Sequence, residues 1–397
     1  MTENVQFENM YEWLSGFKLF KTPKTFITRN PKYVKTQRNI KDFTHKEERN
    51  DSIIRYYSGE NYVRFQNYYV TSDVLEHEDF ISTTTGLKYE RHEYNLYGQL
   101  HRKIYYFDNS KLKYSDKLFD TTGTMYCKRY FQNNDKNKIN RIELYKNTKI
   151  YKTFENDKAL AQFYFQAKFK DNDVVFCDAR FLDRPLLKQT HQIKNIFVFH
   201  SSHLSGNNIK KSYKFTLEHS KGVYKYIVLT EQQERDIKSV YPIEDQRFKL
   251  IPHFIEIADD IHTETHKKKG RFIYIGRFSA EKQIDHLIKA YRQFLQSGHQ
   301  TQLHLFGRDE DQQLPLIKSL ISKLQLHDKV KILDYTKNPL TEFKTSKASL
   351  LTSKYEGFGL TIMESIEMGC PALSYNIPYG PSEIIKNGEN GYLYRRK

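Results

Sequence analysis

Between residues 51 and 155, short runs rich in Tyr and Phe alternate with clusters of turn formers, at Ser82-Thr-Thr-Thr-Gly86, Tyr94-Asn-Leu-Tyr-Gly98 and Phe119-Asp-Thr-Thr-Gly123. Gly98 and Gly123 stand 25 residues apart, and the runs that follow them, His101–Phe107 and Tyr126–Phe131, are alike. Such runs, punctuated by glycine turns, predict consecutive antiparallel hairpins: a β-meander with one packed and one solvated face. Its rings read as cross-strand packing rather than as a base-stacking platform. Before it, Phe7, Met10, Tyr11, Leu14, Phe17 and Phe20 recur at helical spacing, and a basic, polar stretch covers 30–50.

After residue 156 the pattern changes. Asp173–Cys177, Asn195–Phe199 and Tyr226–Leu229 are short, nearly unbroken apolar runs, as strands buried on both faces require. Thr230-Glu-Gln-Gln-Glu234 has the signature of a capping box opening a helix. Residues 256–270 lack periodicity and end in Lys267-Lys-Lys269-Gly270, which predicts a linker. Beyond it, strands at 271–275, 302–306, 329–333, 348–352, 372–375 and 391–394 alternate with helices. The helix over 281–295 aligns Ile284, Leu287, Ile288, Tyr291 and Leu295 on one face. The fold class is therefore α/β, with two Rossmann-like domains and the meander inserted in the first. The predicted division is an incomplete N-terminal Rossmann-like part (1–50), the meander (51–155), the remainder of that domain (156–257) and a C-terminal domain (258–397).

Charge adds a second constraint. The 397 residues carry a formal net charge of +16, which draws a protein toward polyanions; a Lys-rich composition without a specific partner gives the same number. Cys127, Cys177 and Cys370 are far apart, with no metal-ligand spacing, which points to a reducing compartment. The start Met1-Thr-Glu-Asn lacks the apolar run of a signal peptide, and no 18-residue apolar stretch suits a membrane span.

The candidate chemistry lies where strands end, the place at which doubly wound sheets bind ligands. Gly276-Arg-Phe-Ser-Ala-Glu-Lys282 follows one strand and precedes a helix: Gly276 permits a tight turn, Arg277 can fork onto phosphate oxygens and Lys282 supplies a point charge. Tyr355-Glu-Gly-Phe-Gly-Leu-Thr-Ile-Met-Glu364 follows another. Gly357 and Gly359 allow close backbone approach, and the helix beginning near Leu360 offers free amides. Glu356 and Glu364 beside an anion site suit hydroxyl groups, hence sugar and ribose. A third segment, His200-Ser-Ser-His203, sits at a strand's carboxyl end; taken alone, a structural histidine is the better explanation, and no third metal ligand is near.

Taken together with Tyr379-Gly-Pro-Ser-Glu383 and Asn387-Gly-Glu-Asn-Gly391, these motifs resemble the family 4 retaining glycosyltransferases of GT-B fold over about 195–394, with Glu356 and Glu364 matching that family's E-x7-E motif. The inserted meander resembles that of the bacterial wall teichoic acid α-glycosyltransferases, which act on poly(glycerol phosphate) or poly(ribitol phosphate). The adhesin Ser/Thr N-acetylglucosaminyltransferases are similar. The resemblance implies a UDP-glucose or UDP-GlcNAc donor. Arg277 and Lys282 would neutralise its diphosphate, Glu364 would hold the ribose and Glu356 the sugar hydroxyls. Gly276, Gly357, Phe358, Gly359, Leu360 and Thr361 would cradle sugar and phosphate. His203, or second to it His200, would face the sugar, and Tyr335 the uracil. It further implies front-face attack without a metal or other cofactor, an anionic teichoic acid acceptor and no nucleic acid. A cytoplasmic site at the inner membrane face and oligomerisation through the meander follow from the same likeness.

Set against that family, the chain starts without the usual strand and Gly-rich loop and stops at Tyr394-Arg-Arg-Lys397, so both ends are expected to be incomplete. The rival readings are a Ser/Thr O-N-acetylglucosaminyltransferase of adhesins and a non-catalytic GT-B subunit.

Overall fold

A computed structural model describes residues 8–16, 36–48, 52–69, 72–206, 208–256 and 270–395. The chain divides into two compact units: Met1–Phe169 with Lys188–Thr190, and Lys170–Leu187 with His191–Lys397.

The first unit holds the predicted meander. Ten strands, β1 (Thr44–Glu48), β2 (Ile53–Ser58), β3 (Asn61–Tyr68), β4 (Leu75–Ile81), β5 (Lys88–Tyr94), β6 (Leu100–Tyr106), β7 (Lys113–Phe119), β8 (Met125–Phe131), β9 (Ile139–Lys146) and β10 (Lys149–Phe154), pair in chain order. Every pairing is antiparallel. Sequential pairing follows from the short turns, of which those at Gly98 and Gly123 need positive φ (77° and 80°), a conformation glycine adopts without steric cost. Two helices, α1 (Met10–Ser15) and α2 (Asp157–Lys168), cover part of the sheet. Met10, Tyr11 and Leu14 pack with Leu160 on Leu118, Cys127, Ile142 and Leu144. The helical spacing read over residues 7–20 thus yields one short helix, ended at Gly16 in the left-handed region; Phe17 and Phe20 lie outside the described residues.

That packed face also carries charge. Asp116 is 0% exposed and accepts from Arg102 Nε at 2.9 Å and Arg129 Nε at 2.8 Å. Register explains the meeting: Asp116 stands opposite Ile104 on one side and Arg129 on the other. A buried carboxylate is tolerable only with such charge-assisted partners.

The second unit contains two parallel sheets. β11 (Val174–Cys177), β12 (Lys194–Phe199), β15 (Lys225–Val228) and β16 (Phe248–Leu250) form the first in the order β11-β12-β15-β16, and β13 (Leu204–Ser205) pairs β14 (Asn208–Ile209) beside it. With them come α3 (Asp183–Leu187), α4 (Lys211–Glu218) and α5 (Glu231–Val240). The second sheet has β17 (Arg271–Ile275), β18 (Gln302–Phe306), β19 (Val330–Leu333), β20 (Ala348–Leu351), β21 (Ala372–Tyr375) and β22 (Gly391–Tyr394) in the order β19-β18-β17-β20-β21-β22. Its helices are α6 (Ile284–Gln296), α7 (Gln313–Lys323), α8 (Pro339–Lys344), α9 (Leu360–Glu367) and α10 (Pro381–Ile384). The apolar stripe of α6 is buried with Leu303, Leu305 and Val330. Chain order reverses at β17 and β20, so the loops leaving these neighbours flank one crevice. Of the predicted linker, 256–270, residues 257–269 lie outside the described residues.

Candidate active site

Two loops build the crevice. After β17, the chain passes Gly276 and Arg277 into a single 3-10 turn, Ala280–Lys282, and Gln283 then enters the left-handed region to start α6. After β20, residues 352–359 lead into α9. The loops are stitched together: Thr352 Oγ1 donates to the carbonyls of Lys282 (3.0 Å) and Gln283 (2.9 Å), and the Lys354 amide donates to Glu281 O at 2.7 Å.

The glycines are explained by crowding. A Cβ on Gly276 would lie 2.8 Å from the Tyr274 hydroxyl, which itself donates to Arg277 O. One on Gly357 would lie 2.2 Å from the carbonyl oxygen of His200, so the donor-side loop touches the backbone that follows β12. Gly359 has φ of 101° and starts α9; Leu360 and Thr361 N–H groups have no acceptor among the described residues. These amides and the helix dipole favour an anion there.

The charged side chains of the two loops pair with one another. Lys282 Nζ binds Glu356 Oε1 at 2.7 Å, and Ser353 Oγ donates to the same oxygen at 2.6 Å. Arg277, with a side chain 58% exposed, is held by Glu310 and, at 3.3 Å, by Glu281. Each cation thus rests on a nearby carboxylate, because an unpaired charge in a crevice is costly. Glu364 is the exception. It is half-buried, its carboxylate has no partner among the described residues, and burial pushes its pKa up.

The two histidines differ in exposure. His203 is 1% exposed, its Nδ1 has no hydrogen-bond partner among the described residues, and burial pushes its pKa down to about 4. Its ring stacks on Tyr379 instead of opening to the crevice. His200 is the accessible one: Nε2 lies 3.2 Å from Asp178 Oδ1, and the ring stacks on His253 at 5.9 Å. Of the two, His200 is the more exposed and His203 the buried one. Phe358 is buried against His253, so its backbone rather than its ring lines the loop. Tyr335 is 61% exposed, with the Arg308 guanidinium 5.5 Å from its ring centroid, a flat and open surface after β19.

Sequence reasoning passed over Ser353, Glu281, Glu310 and Tyr274. The one available signal was Gly307-Arg308 at the end of β18: a Cβ on Gly307 would come within 1.9 Å of Gly276 O. Among the described residues, no group of three or more His, Cys, Asp or Glu could hold a metal ion, and no helix is long and apolar enough to cross a membrane.

Comparison with known proteins bears on this geometry. Residues 257–397 match the family model for glycosyl transferases group 1. The poly(glycerol-phosphate) alpha-glucosyltransferase of Bacillus subtilis is 26% identical over 357 residues, covering 86% of this chain and 52% of that protein. The poly(ribitol-phosphate) alpha-N-acetylglucosaminyltransferase of Staphylococcus aureus is 29% identical over 250 residues, covering 61% and 49%. The chain therefore spans about half the length of these curated relatives. Among solved structures, a mutant of S. aureus TarM in complex with fondaparinux, alpha-GlcNAc-glycerol and UDP superposes with a TM-score of 0.75 at 22% identity, covering 100% of this chain and 78% of that one. The fold is GT-B.

Proposed function

We propose that this GT-B chain, whose residues 257–397 match the glycosyl transferases group 1 model, moves glucose or N-acetylglucosamine from a UDP-sugar to hydroxyls of a poly(polyol phosphate) of the teichoic acid type, with retention of configuration. The observation that carries the reading is the donor crevice: an unpartnered, half-buried Glu364 one turn inside α9, the free amides of Leu360 and Thr361, and two cations, Arg277 and Lys282, within the adjoining loop.

The chemistry demands such a site. Breaking the bond between sugar and diphosphate builds positive charge on the sugar and negative charge on the departing phosphate. Cations fixed at the leaving group stabilise that separation more strongly as it develops. In this reading the diphosphate draws Arg277 from Glu310 and Lys282 from Glu356, which frees the Glu356 carboxylate for sugar hydroxyls. Glu364 accepts from the ribose, and Tyr335 with Arg308 offers a flat face to the base. The acceptor hydroxyl attacks on the face the diphosphate leaves, and a leaving phosphate oxygen takes its proton. No step calls for a metal. The excess positive charge, +16 over the chain, favours a polyanionic acceptor through screened attraction.

UDP release is the direct test, with UDP-glucose and UDP-GlcNAc each offered against purified poly(glycerol phosphate), poly(ribitol phosphate) and a Ser-rich peptide, followed by NMR of the new anomeric centre. Release that depends on either polymer, with an α-linked product, is the expected outcome. Transfer to the peptide alone moves the chain to the adhesin-modifying class. Absence of UDP binding in calorimetry leaves a non-catalytic subunit.

A further inference from the structure

Glu383 has no part in the donor contacts above, yet both its oxygens are engaged within the second unit. Oε2 accepts from the Glu231 amide and Oε1 from the Gln232 amide, each at 3.0 Å. These are the first two amides of α5, which packs beside β15 and β16 of the four-stranded sheet. Glu383 belongs to α10, beside the six-stranded sheet. Tyr379, in the loop before α10, makes a second attachment: it is fully buried, and its hydroxyl donates to Asp236 Oδ2 of α5 at 2.8 Å. Its ring stacks on His203, with centroids 5.8 Å and planes 10° apart. The low pKa of His203 keeps that contact uncharged near neutrality.

The other end of the same loop is locked to the donor site. The Glu356 amide donates to Pro378 O at 3.0 Å, and the Tyr379 amide donates to Glu356 O at 3.1 Å. Gly380, at φ of 99°, lies so near that a Cβ would fall 1.6 Å from Phe358 O. Residues 378–383 thus bridge the Glu356 backbone and α5, with hydrogen bonds at both ends and no room for slippage between them.

We propose that Glu383 and Tyr379 are positioning residues: by fastening the 378–383 loop to α5 they fix the donor loop 356–359, and with it the direction of the Glu356 carboxylate. The donor site is then complete only while the two parallel sheets of this unit are held together. A carboxylate at a helix N-terminus suits the task, since it meets two amides and the positive end of the helix dipole at once. The proposal rests on the reading of 356–364 as a donor-sugar site.

The test uses Glu383→Ala, Glu383→Gln and Tyr379→Phe in the whole chain, with two readouts. Amide hydrogen exchange needs no nucleotide: Glu383→Ala is expected to speed exchange at 231–232 and also at the Glu356 amide. Kinetics with UDP-sugar should show kcat reduced by about tenfold or more in Glu383→Ala, partly restored in Glu383→Gln, which keeps one acceptor. UDP affinity should stay within about twofold, because no proposed UDP contact involves Glu383. Faster exchange confined to 231–232, or kcat and UDP affinity falling together, overturns the proposal. If the unmodified chain binds no UDP, the donor reading fails while exchange at Glu356 still decides the coupling.

Discussion

Glu78 in the meander and Glu364 in the donor crevice are the same residue in opposite circumstances. Burial pushes the Glu78 carboxyl up, but hydrogen bonds from His92 and Tyr94 and the Arg64 guanidinium outweigh it and hold the pKa at about 2. Arg64 Nε lies 2.9 Å away and Gln66 Nε2 3.2 Å. Glu364 meets burial without any of these partners, and its pKa goes up. A buried charge whose every lone pair is satisfied serves the fold, whereas one left unsatisfied is destabilising until something outside the chain satisfies it. The meander is built in the first manner, and Asp116 is its most buried instance. Glu364, in the crevice after β20, is an instance of the second.

The contrast can be broken by mutation. The largest effect is expected from Asp116→Ala, which takes the shared carboxylate from Arg102 and Arg129 and leaves them, among the described residues, only Glu93 and the Tyr11 hydroxyl: a loss of about 3–5 kcal/mol in denaturant unfolding of the protein. If stability hardly changes, the meander network is not structural. Lys282→Ala should reduce transfer by about 10²–10³-fold, as for other groups that stabilise a developing anion, and Glu364→Ala should weaken UDP binding without lowering stability. Normal turnover in both variants removes the site assignment.

The acid dependence should have opposite signs at the two glutamates. Glu78 has a folded pKa below its ordinary value of 4.5, so its contribution is complete above pH 4.5 and is lost as pH falls toward about 2. At neutral pH, Glu78→Gln should cost up to about 3 kcal/mol, a penalty that vanishes in acid. Glu364 has a raised folded pKa, so its stabilising form is the neutral one, present below the ordinary value and lost as pH rises through the folded pKa. Glu364→Gln should therefore stabilise the free protein near neutrality and make no difference at low pH. Urea titrations at a series of pH values check both. The smallest effect belongs to Tyr335→Ala, whose stability should change by no more than about 0.5 kcal/mol. Its UDP affinity should fall by roughly tenfold if the exposed ring meets the base; unchanged affinity would place the uracil elsewhere.

Much of this was legible before any coordinates. The alternation of apolar runs with amphipathic stretches marked every strand of the six-stranded sheet and three of the four in the other to within a residue or two, whereas β16 (Phe248–Leu250), only three residues long and interrupted by a lysine, carries no such run. Glycine turns marked the meander. The glycine loop after β20 was legible too, since Gly357 and Gly359 beside Glu356 form a local pattern. Other features were hidden. Nothing local distinguishes His200 from His203, three residues apart at the end of one strand; the ring of Tyr379, far along the chain, covers one and leaves the other open. Nor does local sequence reveal that Glu310 holds Arg277, or that Asp116 meets two arginines, since both depend on which strands lie side by side.

The sequence by itself therefore determined the meander, most strands of the parallel sheets and the glycine-bearing loops at their ends. These follow from periodicity, turn chemistry and the places where strands end, all properties of near neighbours in the chain. Only the tertiary structure decided which charges are satisfied and which are left waiting. Charge satisfaction depends on distances of about 3 Å between residues of different strands and loops, and those distances exist only once the strands are paired and the loops at their ends brought together.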